Sequence, residues 1–212
     1  KEEIGDKKGI ANSLSNVGTI YLYNGDHATA IDYFTKSLII NEAQGNKRSI
    51  STTLNNIGYI YNKQGNNEKA LEYYEKSLKI AEEILDTNCI GNVLGNIGLT
   101  YFHQGDYTKA MDCHTRCLKV CEEIGYKVGI ASSLHNIGMV YEANGDNVKA
   151  VEYYTRGLKI FEEIKHIEKI SVCLNSIGMI YFQQGDYPKA IEKSTRALNI
   201  AQEIDDVIRI QA

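Results

Sequence analysis

The stretch LNNIGYIYNKQGNNEKALEYYEKSLKI, residues 54–80, holds two helical patterns parted by a single glycine. With Ile50 just upstream, Leu54, Ile57 and Tyr61 follow at spacings of 4, 3 and 4, which puts all four side chains on one helical face. Gly65 ends that helix, because glycine takes the left-handed conformation of a C-terminal cap at little cost. Beyond it, Ala70, Tyr74, Ser77, Leu78 and Ala81 form the inner face of a second helix. On its outer face Glu72 precedes Lys76 by one turn, the order that supports a helix.

The same pattern recurs in both directions with a period of 40 residues. Tyr21, Tyr61, Tyr101, Tyr141 and Tyr181 are in step, as are Gly18, Gly58, Gly98, Gly138 and Gly178. Leu14 and Ala30 begin two further series, and Gly25 a third. Five full copies fit, at 6–45, 46–85, 86–125, 126–165 and 166–205, with partial helices expected at 1–5 and 206–212 and one domain over 1–212. Acid and base stand four apart in each second helix: Asp32 and Lys36, Glu72 and Lys76, Asp112 and Arg116, Glu152 and Arg156, Glu192 and Arg196. Asp6, Asn46, Asp86 and Asp206 offer capping oxygens to the next first helix, a pattern that Tyr126 and His166 break. Pro188 falls in the first turn of a second helix, where its missing N–H is harmless. Gly58 and its equivalents lie inside the first helix, at a cost of about 1 kcal/mol relative to alanine; close approach by a neighbouring helix compensates. No pair can bury its apolar stripe alone, so the pairs stack. The expected fold class is all-α, a curved solenoid of antiparallel helix pairs.

These residues resemble the tetratricopeptide repeat, with its spaced Leu, Ile-Gly, Tyr, Gly, Ala, aromatic and small positions, and all five copies match. The period of 40 is longer than the family's usual 34, and the proline that normally closes each repeat is missing. That longer form is similar to LGN/Pins-type cell-polarity scaffolds and to repeat arrays fused to bacterial sensor kinases and nucleotide cyclases. The resemblance implies a right-handed superhelix with a concave face made by the first helices. It also implies that an asparagine row, Asn16, Asn56, Asn96 and Asn136, clasps the main chain of an extended peptide, with Ser176 departing in the last copy. An amide both donates and accepts, which suits that task, though the same amides could instead bond to neighbouring helices. By family register the neighbouring groove positions are Tyr59, Leu99, Met139 and Met179, then Asn62, Phe102, Glu142 and Phe182, with Asn55, His135 and Asn175 beside the row. A carboxylate clamp of the chaperone type needs Lys or Arg where this chain has Asn12, Thr52, Asn92, Ser132 and Val172, so a free C-terminal carboxylate is disfavoured.

Other classes fare worse. A net charge of −4, from 23 Lys and Arg against 27 Asp and Glu with no basic stripe, opposes nucleic-acid binding. No apolar run is long enough to span a bilayer. The five cysteines, three of them clustered, do not suggest a disulfide framework, so a cytoplasmic site is expected, or a periplasmic one if the parent is a bacterial membrane sensor. Cys113, Cys117 and Cys121 lie along one helical stripe, the outer two about 12 Å apart at 1.5 Å rise per residue, too far to close on one zinc. They and His114, in an aromatic slot, read as core residues; no metal or cofactor is expected. The glycines of GNVLGNIG, 91–98, lie inside a helix and lack the lysine of a phosphate loop. No catalytic constellation stands out, so the chain is expected not to be an enzyme. It opens in mid-pattern and is expected to be a piece of a longer protein, with apolar ends that leave room for self-association. The expected function is a scaffold that binds a peptide or helix of a partner protein. The alternative is the regulatory arm of a signalling kinase or cyclase, acting within its own protein or through dimerisation.

Overall fold

A computed structural model describes the backbone of residues 6–211 and the side chains of 6–202. Ten helices occupy the described residues, and no strand is found among them: α1 (Lys7–Tyr23), α2 (His27–Ala43), α3 (Lys47–Lys63), α4 (Asn67–Glu83), α5 (Thr87–His103), α6 (Tyr107–Glu123), α7 (Lys127–Ala143), α8 (Asn147–Glu163), α9 (Ile167–Gln183) and α10 (Tyr187–Gln211). The chain forms an all-α repeat array. By their contacts the residues gather into two compact units, divided in sequence between Gly105 and Asp106. In the first unit α1 packs on α2 and α3 on α4, while α2 meets α3 and α4 meets α5. In the second, α6 meets α7, which pairs with α8; α8 meets α9, which pairs with α10.

Each of α1 to α9 has 17 residues. The uniformity comes from a three-residue joint. After Tyr23, Asn24 is still helical, Gly25 takes φ +78°, and Asp26 already caps α2. Gly25 N–H donates to the Leu22 carbonyl and Asp26 N–H to that of Tyr21, the paired bonds of a Schellman motif. Asp26 Oδ1 then accepts from Thr29 N–H. One residue thus closes a helix and opens the next. Side-chain caps of this kind stand before eight helices, at Asp6, Asp26, Asn46, Asn66, Asp86, Asp106, Asp146 and, for α10, Asp186. Tyr126 and His166 supply none. The Tyr126 ring instead covers Gly129, where an added Cβ would meet it at 2.6 Å. The caps of the second helices were not read from the sequence, although the Gly-Asp joints carry them.

Two joints lack glycine: Leu85 and Lys165 hold φ +55°. A side chain in this region costs about 1–2 kcal/mol, and Leu85 is 82% exposed, so it has little packing to lose. Leu85→Gly is therefore expected to stabilise the chain by about 0.5–1 kcal/mol after glycine's own entropic cost. A circular dichroism melt checks this; a lowered midpoint would refute it.

The joint expected at Asp206 is not formed. The backbone stays helical from Tyr187 to Gln211, with Asp205 where Gly45, Leu85, Gly125 and Lys165 bend. Continued helix avoids the steric penalty that Leu85 and Lys165 bear at the same position of their copies. The expected partial helix at 1–5 lies outside the described residues.

Inside each pair, small residues bring the helices together. Ser51 and Ser77 each donate to the other's carbonyl, at 2.8 and 2.7 Å, across α3 and α4. Gly58, Gly138 and Gly18 lie under the rings of Tyr74, Tyr154 and Phe34. The close approach expected at these glycines is thus made by an aromatic face, together with the Ala70 carbonyl at Gly58. The rings of Tyr21 and Tyr33, Tyr61 and Tyr73, and Tyr141 and Tyr153 stack 5.3–5.5 Å apart and tie the pairs further. Expected ion pairs form at Asp32–Lys36, Glu72–Lys76 and Glu152–Arg156. The pair expected between Glu192 and Arg196 does not. Arg196 reaches Glu162 on α8, and Glu192 is taken by its neighbour Lys193 at 2.8 Å. Such exposed pairs add little each.

Candidate interaction groove

Along α3, Thr52, Asn56, Tyr59 and Lys63 repeat at spacings of 4, 3 and 4, so one stripe of the helix carries all of them. On α1, Asn12, Ser15, Asn16, Thr19, Leu22 and Tyr23 make the facing wall. The trough between them has a section of about 550 Å³ toward Lys63 and one of about 390 Å³ toward Arg48, sharing Thr52 and Asn56. Asn92 and Asn96 of α5 flank the larger section. Both sections belong to the first unit.

Of the residues expected to line a groove, Asn55, Asn56, Tyr59 and Asn96 come together in the larger section, and Asn16 joins Asn56 in the smaller. The asparagines divide by what they bond. Asn96 Nδ2 donates to Asn55 Oδ1 at 2.9 Å and links α5 to α3. Asn62 Nδ2 donates to Thr100 Oγ1 at 3.0 Å and makes a second strut between the same helices. The side chains of Asn16 and Asn56 have no hydrogen bond among the described residues, which leaves both amides open in the trough. Leu99 and Phe102 sit half-buried on α5.

The remaining candidates belong to the second unit. Asn136 is half-buried and makes no side-chain hydrogen bond among the described residues. The His135 ring lies 4.8 Å from that of Tyr154, with Nδ1 3.5 Å from Cys173 Sγ. Burial, aided by Lys169, holds its pKa down at about 4. Met139 packs against the apolar core, and Glu142 accepts from Tyr154 Oη at 2.6 Å. Met179 and Phe182 are open to solvent. Sequence reasoning missed Tyr23, His27 and Lys63, which lie at the ends of helices. Tyr23 and Lys63 stand one residue past the register position of Asn62, and the stripe through Asn56 was the signal that reaches Lys63.

Cys113, Cys117 and Cys121 are buried and form no disulfide among the described residues, and burial pushes the Cys113 and Cys121 thiols up to about 11 and 12. Such thiols are poor nucleophiles and poor metal ligands at neutral pH. Among the described residues no three acid, cysteine or histidine side chains are placed to hold a metal ion. No helix of the described residues is long and apolar enough to cross a membrane.

Tetratricopeptide repeat models match residues 9–83, 89–163 and 173–204. The chain belongs to the tetratricopeptide repeat family. No curated protein sequence is a significant match for this TPR chain. Several solved structures share its fold. BtubC (BKLC) from P. vanneervenii has a TM-score of 0.83 at 19% identity, over 94% of this chain and 82% of that one. A Rap protein complexed with competence and sporulation factor gives 0.80 at 19% identity, over 93% and 55%. A STAND signal-transduction ATPase with a TPR sensor, from Pyrococcus horikoshii, gives 0.81 at 20% identity, over 94% and 30%. This TPR chain thus spans about half of the Rap protein and less than a third of the ATPase. At these identities the likeness is one of fold.

Proposed function

We propose that this TPR chain is a protein-interaction scaffold whose trough between α1 and α3 holds an extended segment of a partner. The observation that carries this reading is the pair of unpartnered amides, Asn16 and Asn56, in a trough lined by hydroxyl, amide and aromatic groups. An extended peptide presents main-chain N–H and C=O groups that a side-chain amide can pair on both sides. The similar Rap protein, seen in a complex with competence and sporulation factor, supports binding through this fold. Neither amide holds another helix, so both can be removed without loss of a structural bond.

The test is a crosslinking pull-down comparing the parent chain with the Asn16→Ala, Asn56→Ala double variant, whose helicity is checked by circular dichroism. A partner captured by the parent and lost by the folded variant is the expected result. A partner retained in full by the variant would move binding to another surface. A second reading, a sensory arm of a larger signalling protein, draws on the likeness to the STAND ATPase with its TPR sensor. In that case the segment in the trough belongs to the same polypeptide.

A further inference from the structure

The charge of the trough decides what kind of segment it suits, an inference that rests on the trough being the binding groove. The chain has 27 Asp and Glu against 23 Lys and Arg. No carboxylate lines either section of the trough, while Lys63 lines one and Arg48 the other. An acidic protein has thus cleared one surface of acids and left a cation at each end of it.

The two cations differ in how free they are. Lys63 Nζ rests 5.3 Å from the centre of the Tyr59 ring and has no carboxylate partner among the described residues. The aromatic face steadies the ammonium without neutralising it. Arg48 gives its Nε to Asp86 Oδ2 at 2.9 Å, but its side chain is 72% exposed. Its two Nη groups make no bond among the described residues. A neutral peptide would leave these donors idle, and a basic one would meet like charge at both ends.

We propose that the trough takes an extended acidic peptide. One carboxylate side chain pairs with the Lys63 ammonium and a second with the Arg48 Nη groups. Asn56 and Asn16 hold the main chain between them. Lys63 and Arg48 are 15 residues apart on α3, which is about 22 Å along the helix at 1.5 Å per residue. An extended chain rises about 3.3 Å per residue, so the two acidic positions stand about six or seven residues apart.

A display library of random nine-residue peptides, selected on the immobilised chain, tests this directly. Enriched peptides are expected to carry Asp or Glu at two positions about six or seven apart. One of them, made synthetically with a fluorescent label, is then titrated by anisotropy. Lys63→Gln, an exposed change that leaves the fold alone, is expected to weaken it about ten-fold, the effect of losing one charge-assisted bond. Replacing the peptide acid that faces Lys63 by Gln should do the same, and raising the salt should weaken binding to the parent more than to Lys63→Gln, which keeps the Arg48 pair. Selected peptides that are neutral or basic, yet still lose affinity with Asn56→Ala, would overturn the acidic preference and leave the groove reading standing. Peptides indifferent to both Asn56→Ala and Lys63→Gln, or no enrichment at all, would overturn both.

Discussion

Acidification from pH 7 to pH 4.5 is expected to destabilise the chain by several kcal/mol, and His114→Phe to remove about half of the histidine share. His114 is 1% exposed, and neither ring nitrogen has a hydrogen-bond partner among the described residues. Burial holds its pKa near 4, against an ordinary value of 6.5. The folded form therefore resists a proton that the unfolded chain accepts below about pH 6.5. The stability concerned is fully present above that pH, falls as pH drops toward 4, and is gone once the folded form also protonates. A shift of one unit is worth about 1.4 kcal/mol, so His114 accounts for roughly 2–3 kcal/mol by pH 4.5. His135, also held near 4, adds a similar or smaller amount because it is only half-buried.

His114 occupies the register position of Phe34, Tyr74 and Tyr154, so a phenyl ring suits the slot. His114→Phe also removes two unsatisfied nitrogens and should raise stability at pH 7 by about 1 kcal/mol or more. The measurement is urea unfolding of parent and variant at pH 7.5, 6, 5 and 4.5. The capping aspartates Asp26, Asp106, Asp146 and Asp186, held low by hydrogen bonds at their helix starts, titrate alike in both chains and cancel in the comparison. Parallel curves for the two chains would show that His114 is not the acid-sensitive group.

Gly138→Val is expected to cost about 3 kcal/mol, at the upper end for an overpacked core. A Cβ at this position would stand 2.7 Å from the Tyr154 ring. The ring cannot swing away: it is 1% exposed, and its hydroxyl donates to Glu142 at 2.6 Å. The change also replaces a close helix contact by a β-branched residue with two more carbons. The fifth copy gives the control. There Ser194 stands where the other copies have a ring, and the nearest atom to a Cβ at Gly178 would be its Oγ, at 3.0 Å. Gly178→Ala should therefore be neutral or mildly stabilising, since alanine favours helix by about 1 kcal/mol over glycine. Thermal melts of the two variants beside the parent decide the matter; equal loss in both would mean that the ring is not what forbids a side chain at Gly138.

The sequence made the repeat legible because steric demands recur in every copy. A glycine must lie under the ring at Tyr74 or Tyr154, and a left-handed residue must close each helix, so glycine recurs at fixed phases, with Leu85 and Lys165 the exceptions among the described joints. The groove was less legible. The asparagines at 16, 56 and 96 share a register, but Asn96 is drawn off by Asn55, a residue that Ser15 replaces beside Asn16. Whether an amide opens into the trough or bonds a neighbour thus depends on the adjacent helix's side chain, which periodicity averages away. Asp206 misled for a different reason: its letter fits a cap, and Leu85 and Lys165 turn at the preceding position without glycine, yet here the backbone stays helical.

The three-residue joints also limit how such a chain can change. With every helix of α1 to α9 held to 17 residues by a joint whose last member already begins the next helix, there is no slack to absorb an insertion. One added residue within a helix would turn everything after it by about 100° and present the wrong side chains to the neighbour. Gain or loss of a whole 40-residue block preserves phase at both edges. Length in this architecture is therefore adjustable only in whole pairs, like a chain altered by the link.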